Sequence, residues 1–276
     1  MTLQNKAMLV TMSVSCWTAQ KKDTKVSAEI EASHNAKNAG RYNKMLVDKA
    51  HLDPLTSFAG AVRSYHYKMT LPWLDNGARL LPSKLFMEYS AEIRKLQSEY
   101  RVLVDKFVAH YDTHLIQDAR QRLGTMYDPD DYPPGHKLRD KFGIEIDIAP
   151  VPDGQDFRVD VTESERMRIG AEITGKVAER QAAAQRDAWV RVREVVSLIE
   201  SRCGAEKTCI RESLIDNARD LSRLLPGLNV AAEPLMDKVC EQIVEHLLVD
   251  PERLRKSVTT RKRVAASARE ILKMLP

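Results

Sequence analysis

Between residues 7 and 17 the chain alternates: Met8, Val10, Met12, Val14 and Cys16 fall on one side, Leu9, Thr11, Ser13, Ser15 and Trp17 on the other. A period of two predicts a half-buried strand. The polar stretch from Thr24 to Ala39 reads as helical. A second, amphipathic helix is expected from Asp53 to Tyr67, opened by the Asp53-Pro54 pair. The segment from Thr70 to Ser83 is bracketed by Pro72 and Pro82 and carries Asn76-Gly77, which predicts a loop or short hairpin.

From Lys84 to Leu123 apolar residues return in steps of three and four, at Tyr89, Ile93, Leu96, Tyr100, Leu103, Phe107 and Tyr111. That spacing predicts one long helix, stopped by the prolines and acidic turn residues of segment 126–137. Phe142, Ile144, Ile146 and Ile148 then alternate with Gly143, Glu145, Asp147 and Ala149, and a second run holds Phe157, Val159 and Val161. A β-hairpin over 142–161 follows. Thr162 with Glu165 forms a capping box that opens a helix to Arg202, striped by Ile169, Ile173, Val177, Ala184, Ala188, Val192, Val195 and Ile199. The two long helices are expected to pack antiparallel, because neither buries its stripe alone. Shorter helices are predicted over Cys209–Leu225, Glu233–Leu248 and Val258–Leu275. The expected class is α+β, predominantly helical: a long antiparallel helix pair, a small antiparallel sheet and C-terminal helices. Residues 1–205 read as the core and 206–276 as a C-terminal helical extension.

Composition narrows the class. In 276 residues, 43% are apolar and 30% charged, which fits a folded chain and excludes wholesale disorder. No stretch approaches the roughly 20 apolar residues of a membrane span, and the N-terminus is broken by Ser and Thr, so a cytoplasmic protein with no membrane partner is expected. Of four cysteines only Cys203 and Cys209 are near each other, at a spacing that fits no common zinc motif, so they read as reduced. The net charge of +4 is unevenly laid out. Residues 1–84 carry 12 basic against 6 acidic side chains and residues 251–276 carry 8 against 2, each +6, while residues 128–165 carry 4 against 11, or −7. Two basic ends around an acidic middle suggest a polyanionic partner or self-association.

The apparent catalytic motifs are weak. Gly170-Ala-Glu-Ile-Thr-Gly175-Lys176-Val177 matches a phosphate-binding loop up to Val177, where Ser or Thr would hold magnesium, and it lies inside a helical stripe instead of after a strand. His110 and His114 sit one helical turn apart without a third ligand. Asp128, Asp130 and Asp131 lack an EF-hand pattern and read as a solvated turn. No catalytic residue, cofactor or metal site is assigned, and no enzyme is expected. A nuclease using Asp147, Asp153 and Asp156 is the enzymatic alternative.

The N-terminal third is richer. Trp17 precedes Lys21, Lys22 and Lys25; Tyr42 lies between Arg41 and Lys44; Arg63, Tyr65, Tyr67 and Lys68 cluster near Trp73. Cations that track phosphates, interleaved with aromatic faces that stack on unpaired bases, are what single-strand binding requires. Alternatively the aromatics are core and the lysines a solvated face. In the last helix Arg261, Lys262 and Arg263 are candidates for backbone phosphates, or for pairing with the acidic stretch of a neighbouring subunit.

Trp17-Thr-Ala-Gln-Lys-Lys-Asp23, Ala39-Gly-Arg-Tyr-Asn-Lys44, Leu71-Pro-Trp73, Gly77-Ala-Arg-Leu-Leu-Pro-Ser83, the stretch from Phe142-Gly143 to Pro150-Val-Pro-Asp153, and Asp156-Phe-Arg-Val159 carry a resemblance. Over nearly the whole chain it resembles a family of phage-encoded single-stranded DNA-binding proteins, that of short-tailed phages with a giant virion RNA polymerase. The resemblance implies cooperative single-stranded DNA binding, self-association into a homo-oligomer, support of phage DNA replication and recruitment of phage RNA polymerase, in a host cytoplasm. It supplies no residue-level binding motif. The many short strands of an OB-fold barrel are missing. A helical structural protein that forms homo-oligomers without nucleic acid is the alternative.

Overall fold

The structure, a computed structural model, describes residues 2–75, 77–156, 159–206 and 209–276. Phe157, from the expected second arm of a hairpin, and Asn76, from the expected turn, lie outside the described residues. The fold is α+β and predominantly helical, with a four-stranded sheet of order β4 (Leu71–Pro72), β5 (Ala78–Pro82), β1 (Ala7–Ser15), β6 (Gly143–Pro150) and a two-stranded sheet of β2 (Gln20–Asp23) and β3 (Tyr42–Met45). Two compact units are each assembled from separated stretches of chain: Met1–Thr11, His66–Tyr89 and Asp147–Pro276 in the first, Met12–Tyr65 and Ser90–Ile146 in the second.

In the first unit the start of β1 (Ala7–Ser15) pairs antiparallel with β5 (Ala78–Pro82), Leu9 opposite Leu80, and β5 pairs with β4 (Leu71–Pro72). The short hairpin anticipated from its prolines is therefore present. Gly77 takes φ 95° in its turn, where a side chain would be strained.

Thr162 caps α6 (Glu163–Gly204) by accepting from the Glu165 amide. The stripe of α6 is buried against α10 (Val258–Met274) and α7 (Glu212–Leu228). Contacts descend in register: Gly204 meets Ala265, Glu200 pairs with Arg269, and Arg193 donates to the Pro276 carbonyl. That order makes α6 and α10 antiparallel. The partner of α6 is thus the last helix, whereas the other long helix contributes its stripe to the core of the second unit. Residues 206–276 are accordingly built into the first unit and are not an appendage, since Val264, Ala268 and Ile271 are buried.

Among the described residues the expected hairpin over 142–161 shows one arm. β6 (Gly143–Pro150) forms, but Val159 and Val161 are exposed and not in a strand. Pro150 and Pro152 end the strand, and Gly154–Asp156 turns in a 3-10 helix that lies on α6.

In the second unit α2 (Lys49–Met69) starts four residues before Asp53, so Pro54 falls inside it, and the Asp48 carboxylate accepts from the Ala50 amide at its start. α3 (Phe86–His110) and α4 (Ile116–Leu123) are joined by one π turn, Tyr111–Leu115, so the long helix is nearly continuous but locally widened. Leu55 and Val62 of α2 and Tyr100, Val104, Phe107 and Tyr111 pack there with Leu138, Phe142 and Ile144. Among the described residues no helix is long and apolar enough to cross a membrane.

Candidate nucleic-acid interface

Within the second unit, an excursion leaves the core at Ala19, which is buried with φ 50°, and returns at Leu46, whose amide donates to the Ala19 carbonyl. It consists of β2 (Gln20–Asp23), α1 (Thr24–Ser33) and β3 (Tyr42–Met45). Asp23 caps α1 by accepting from the Lys25 and Val26 amides, and the Ser27 hydroxyl accepts from the Tyr42 amide, tying helix to strand. Asn35 and Asn38 supply the left-handed positions of the return turn, a conformation Asn tolerates better than most residues. No residue of α1 is fully buried, Val26, Ser27 and Glu31 being half-buried, and Ile30 is 46% exposed.

Opposed residues of an antiparallel pair share a face, so Lys21 and Lys44, paired in register, point the same way. Both meet Asp131. Lys44 is buried, pairs with Asp131 at 2.5 Å and donates to the Met126 carbonyl at 2.7 Å, and Lys21 closes on the other carboxylate oxygen. Burial alone would push the Asp131 carboxyl up, but the hydrogen bonds from Lys21 and Lys44 outweigh it and hold it below the usual carboxylate range. Asp131 is therefore an anchor and not part of a solvated turn. Tyr132 donates to the Leu46 carbonyl and Arg122 to that of Met45, which fastens the same hairpin from the same segment.

Lys22, Lys25 and Arg41 are exposed and make no ion pair among the described residues, and Tyr42 is 38% exposed. Other candidates are committed elsewhere. Trp17 packs edge-on against Phe107 and Tyr111, with centroids 6.4 and 5.7 Å away, so it works as core and not as an open stacking face. Lys44 is withdrawn from solvent by its ion pair. Arg63 donates to the Val14 carbonyl at 2.8 Å, and Tyr65 is half-buried.

In the first unit Tyr67 is exposed and Lys68 pairs with Asp220 at 2.5 Å. Arg261 caps α9 (Pro251–Lys256) by donating to the Leu254 carbonyl, while Lys262 and Arg263 remain on the surface without ion pairs among the described residues. Sequence reasoning missed Arg79 and Arg191, whose guanidiniums meet at the end of α2. Arg191 is more than a hundred residues from that helix end, and no local pattern marks it.

The phosphate-loop look-alike has a packing explanation. A Cβ on Gly170 would lie 2.8 Å from the Gly154 carbonyl oxygen, so this glycine permits the 3-10 turn to lie on α6. Lys176 pairs with Glu172 one turn before it. His110 precedes the π turn and His114 lies within it, with rings 5.6 Å apart, and His114 Nδ1 lies 2.7 Å from the Thr113 hydroxyl. No family model matches the chain, and neither does any curated protein or solved structure.

Proposed function

We propose that this protein binds single-stranded DNA without sequence preference and without catalysis, and serves phage replication and phage RNA polymerase recruitment, the role its sequence resemblance implies. The observation that carries the reading is the β2–α1–β3 excursion. No residue of α1 is fully buried, and the excursion carries Lys22 on β2, Lys25 on α1 and Arg41 just before β3 to the surface, with Tyr42 38% exposed. Three cations without ion pairs among the described residues and an aromatic ring match what a single strand offers, phosphates and unstacked bases.

The test is fluorescence anisotropy with labelled single-stranded and duplex oligonucleotides of equal length across a salt series. Single-strand binding is expected to win. A Lys22→Ala/Lys25→Ala/Arg41→Ala chain is expected to bind with a logarithmic salt slope shallower by about 2, from about 0.7 per lost phosphate contact. No binding at low salt, or an unchanged slope, overturns the reading.

A second reading, a helical assembly protein forming homo-oligomers without nucleic acid, draws support from exposed Ile148, Val159 and Met167 near the acidic stretch. Light scattering of the nucleic-acid-free chain across concentration tests it: a strictly monomeric chain removes it.

A further inference from the structure

In the first unit the C-terminal end of α2 leaves carbonyls that no helical amide can reach. Arg191 takes two of them, donating to Lys68 O at 3.0 Å and Thr70 O at 2.7 Å. Arg79 donates through Nε to the Thr70 hydroxyl at 2.7 Å and through Nη2 to Thr70 O at 3.2 Å. With those two nitrogens committed, the Arg79 guanidinium is held in one plane. That plane lies over the Tyr67 ring, Cζ 4.7 Å from the centroid.

Tyr67 is nevertheless 54% exposed, among the more open large hydrophobic side chains of the described residues. One face of the ring is backed by a cation, and about half of the side chain is open to solvent. Around it the charge is positive: Asp187, which pairs with Arg191 at 2.8 Å, is the carboxylate that balances the two guanidiniums. A flat, solvent-facing ring held in place beside excess positive charge is suited to a nucleotide, with a base on the ring and its phosphate near the arginines.

We propose that Tyr67 is a preorganised stacking platform for an unpaired base and that Arg79 is its positioning residue, making a strand contact separate from the β2–α1–β3 excursion. This rests on the single-strand reading above. It goes beyond it by assigning a second contact to the other unit and a role to an arginine whose visible bonds are structural. Helix-end capping accounts for the bonds to Thr70, but not for a tyrosine kept in the open over the same guanidinium.

The experiment uses the full chain and a single strand carrying 5-iododeoxyuridine, which crosslinks to stacked aromatic side chains on long-wavelength irradiation. Crosslinked peptides are mapped, and affinities are measured for Tyr67→Ala, Tyr67→Phe and Arg79→Lys. A crosslink at Tyr67 is expected. Tyr67→Ala should weaken binding about 5- to 140-fold, the range of one lost stack. Tyr67→Phe should stay within about twofold of wild type, because the ring survives. Arg79→Lys keeps the charge but loses the fork, and should lower crosslink yield at Tyr67 while the thermal midpoint shows the chain folded. If wild type binds and crosslinks only elsewhere, with Tyr67→Ala unimpaired, the second contact is refuted and the excursion stands. If wild type binds no single strand, both are refuted.

Discussion

His66 should make this protein acid-sensitive well above the pH at which carboxylates titrate. The side chain is 3% exposed, with Nδ1 2.8 Å from the Tyr89 hydroxyl oxygen and rings of Tyr67 and Tyr89 each 5.8 Å away. Burial, then the charge of Arg79, lowers its pKa from 6.5 to about 4. The unfolded chain therefore binds a proton between pH 6.5 and 4 that the folded chain refuses. Stability attributable to the neutral imidazole is full above pH 6.5 and is lost as pH falls. At 1.36 kcal/mol per unit the shift predicts a loss of about 2 kcal/mol from pH 7 to pH 5, reaching about 3 kcal/mol at pH 4. Urea unfolding of wild type and His66→Gln over that range isolates the effect, because other titrations cancel in the difference. Glutamine retains a partner for Tyr89 but has no proton to gain, so the gap between the two chains should move in its favour by that amount. A gap that is constant from pH 7 to pH 5 would refute the argument.

Two further substitutions test the anchors of the fold. Lys44→Met leaves the Asp131 carboxylate, 3% exposed, with Lys21 alone, and should cost about 3 kcal/mol in urea unfolding, the general penalty for stripping one partner from a buried pair. The pairing contributes above the unfolded carboxyl pKa of 3.8 and is lost as pH falls through the depressed folded value, so the variant should also lose less stability than wild type on acidification. Gly170→Ala should destabilise by about 1 to 3 kcal/mol, measured the same way, because the Cβ strikes the Gly154 carbonyl. Helix propensity alone predicts the opposite sign, a gain of about 1 kcal/mol.

Local periodicity was a sound guide wherever one element buries one face. The strand at 7–15, the N-cap at Thr162 and the long helix through Leu123 all follow from spacing visible in the chain, although the Glu165 carboxylate turns to Arg168 and does not close the capping box. Spacing does not say which stripe meets which. α6 and the helix from Phe86 have stripes of similar length, yet α6 is buried by α10, a helix of only 17 residues that buries Val264, Ala265, Ala268 and Ile271. The second arm of the hairpin, not formed among the described residues, shows a different limit. Val159 and Val161 alternate as a strand would, but nothing buries them, and a period of two without a partner face is only a pattern.

The site was harder to read because a cation in sequence is not yet a cation available to a ligand. Of ten lysines and arginines that charge layout points to, Lys21, Lys44 and Lys68 pair with aspartates, and Arg63 and Arg261 donate to backbone carbonyls. Lys22, Lys25, Arg41, Lys262 and Arg263 remain unpaired among the described residues. Partners such as Asp131 lie far off in sequence and are invisible to any local count. The distinction is measurable: ten phosphate contacts imply a single-strand salt slope near −7, and five imply about −3.5. On the proposed single-strand reading, more of the affinity should therefore come from stacking, which salt leaves nearly untouched, than the lysine and arginine content suggests. Residual binding at high salt should then disappear with Tyr42→Ala and Tyr67→Ala and survive removal of the lysines.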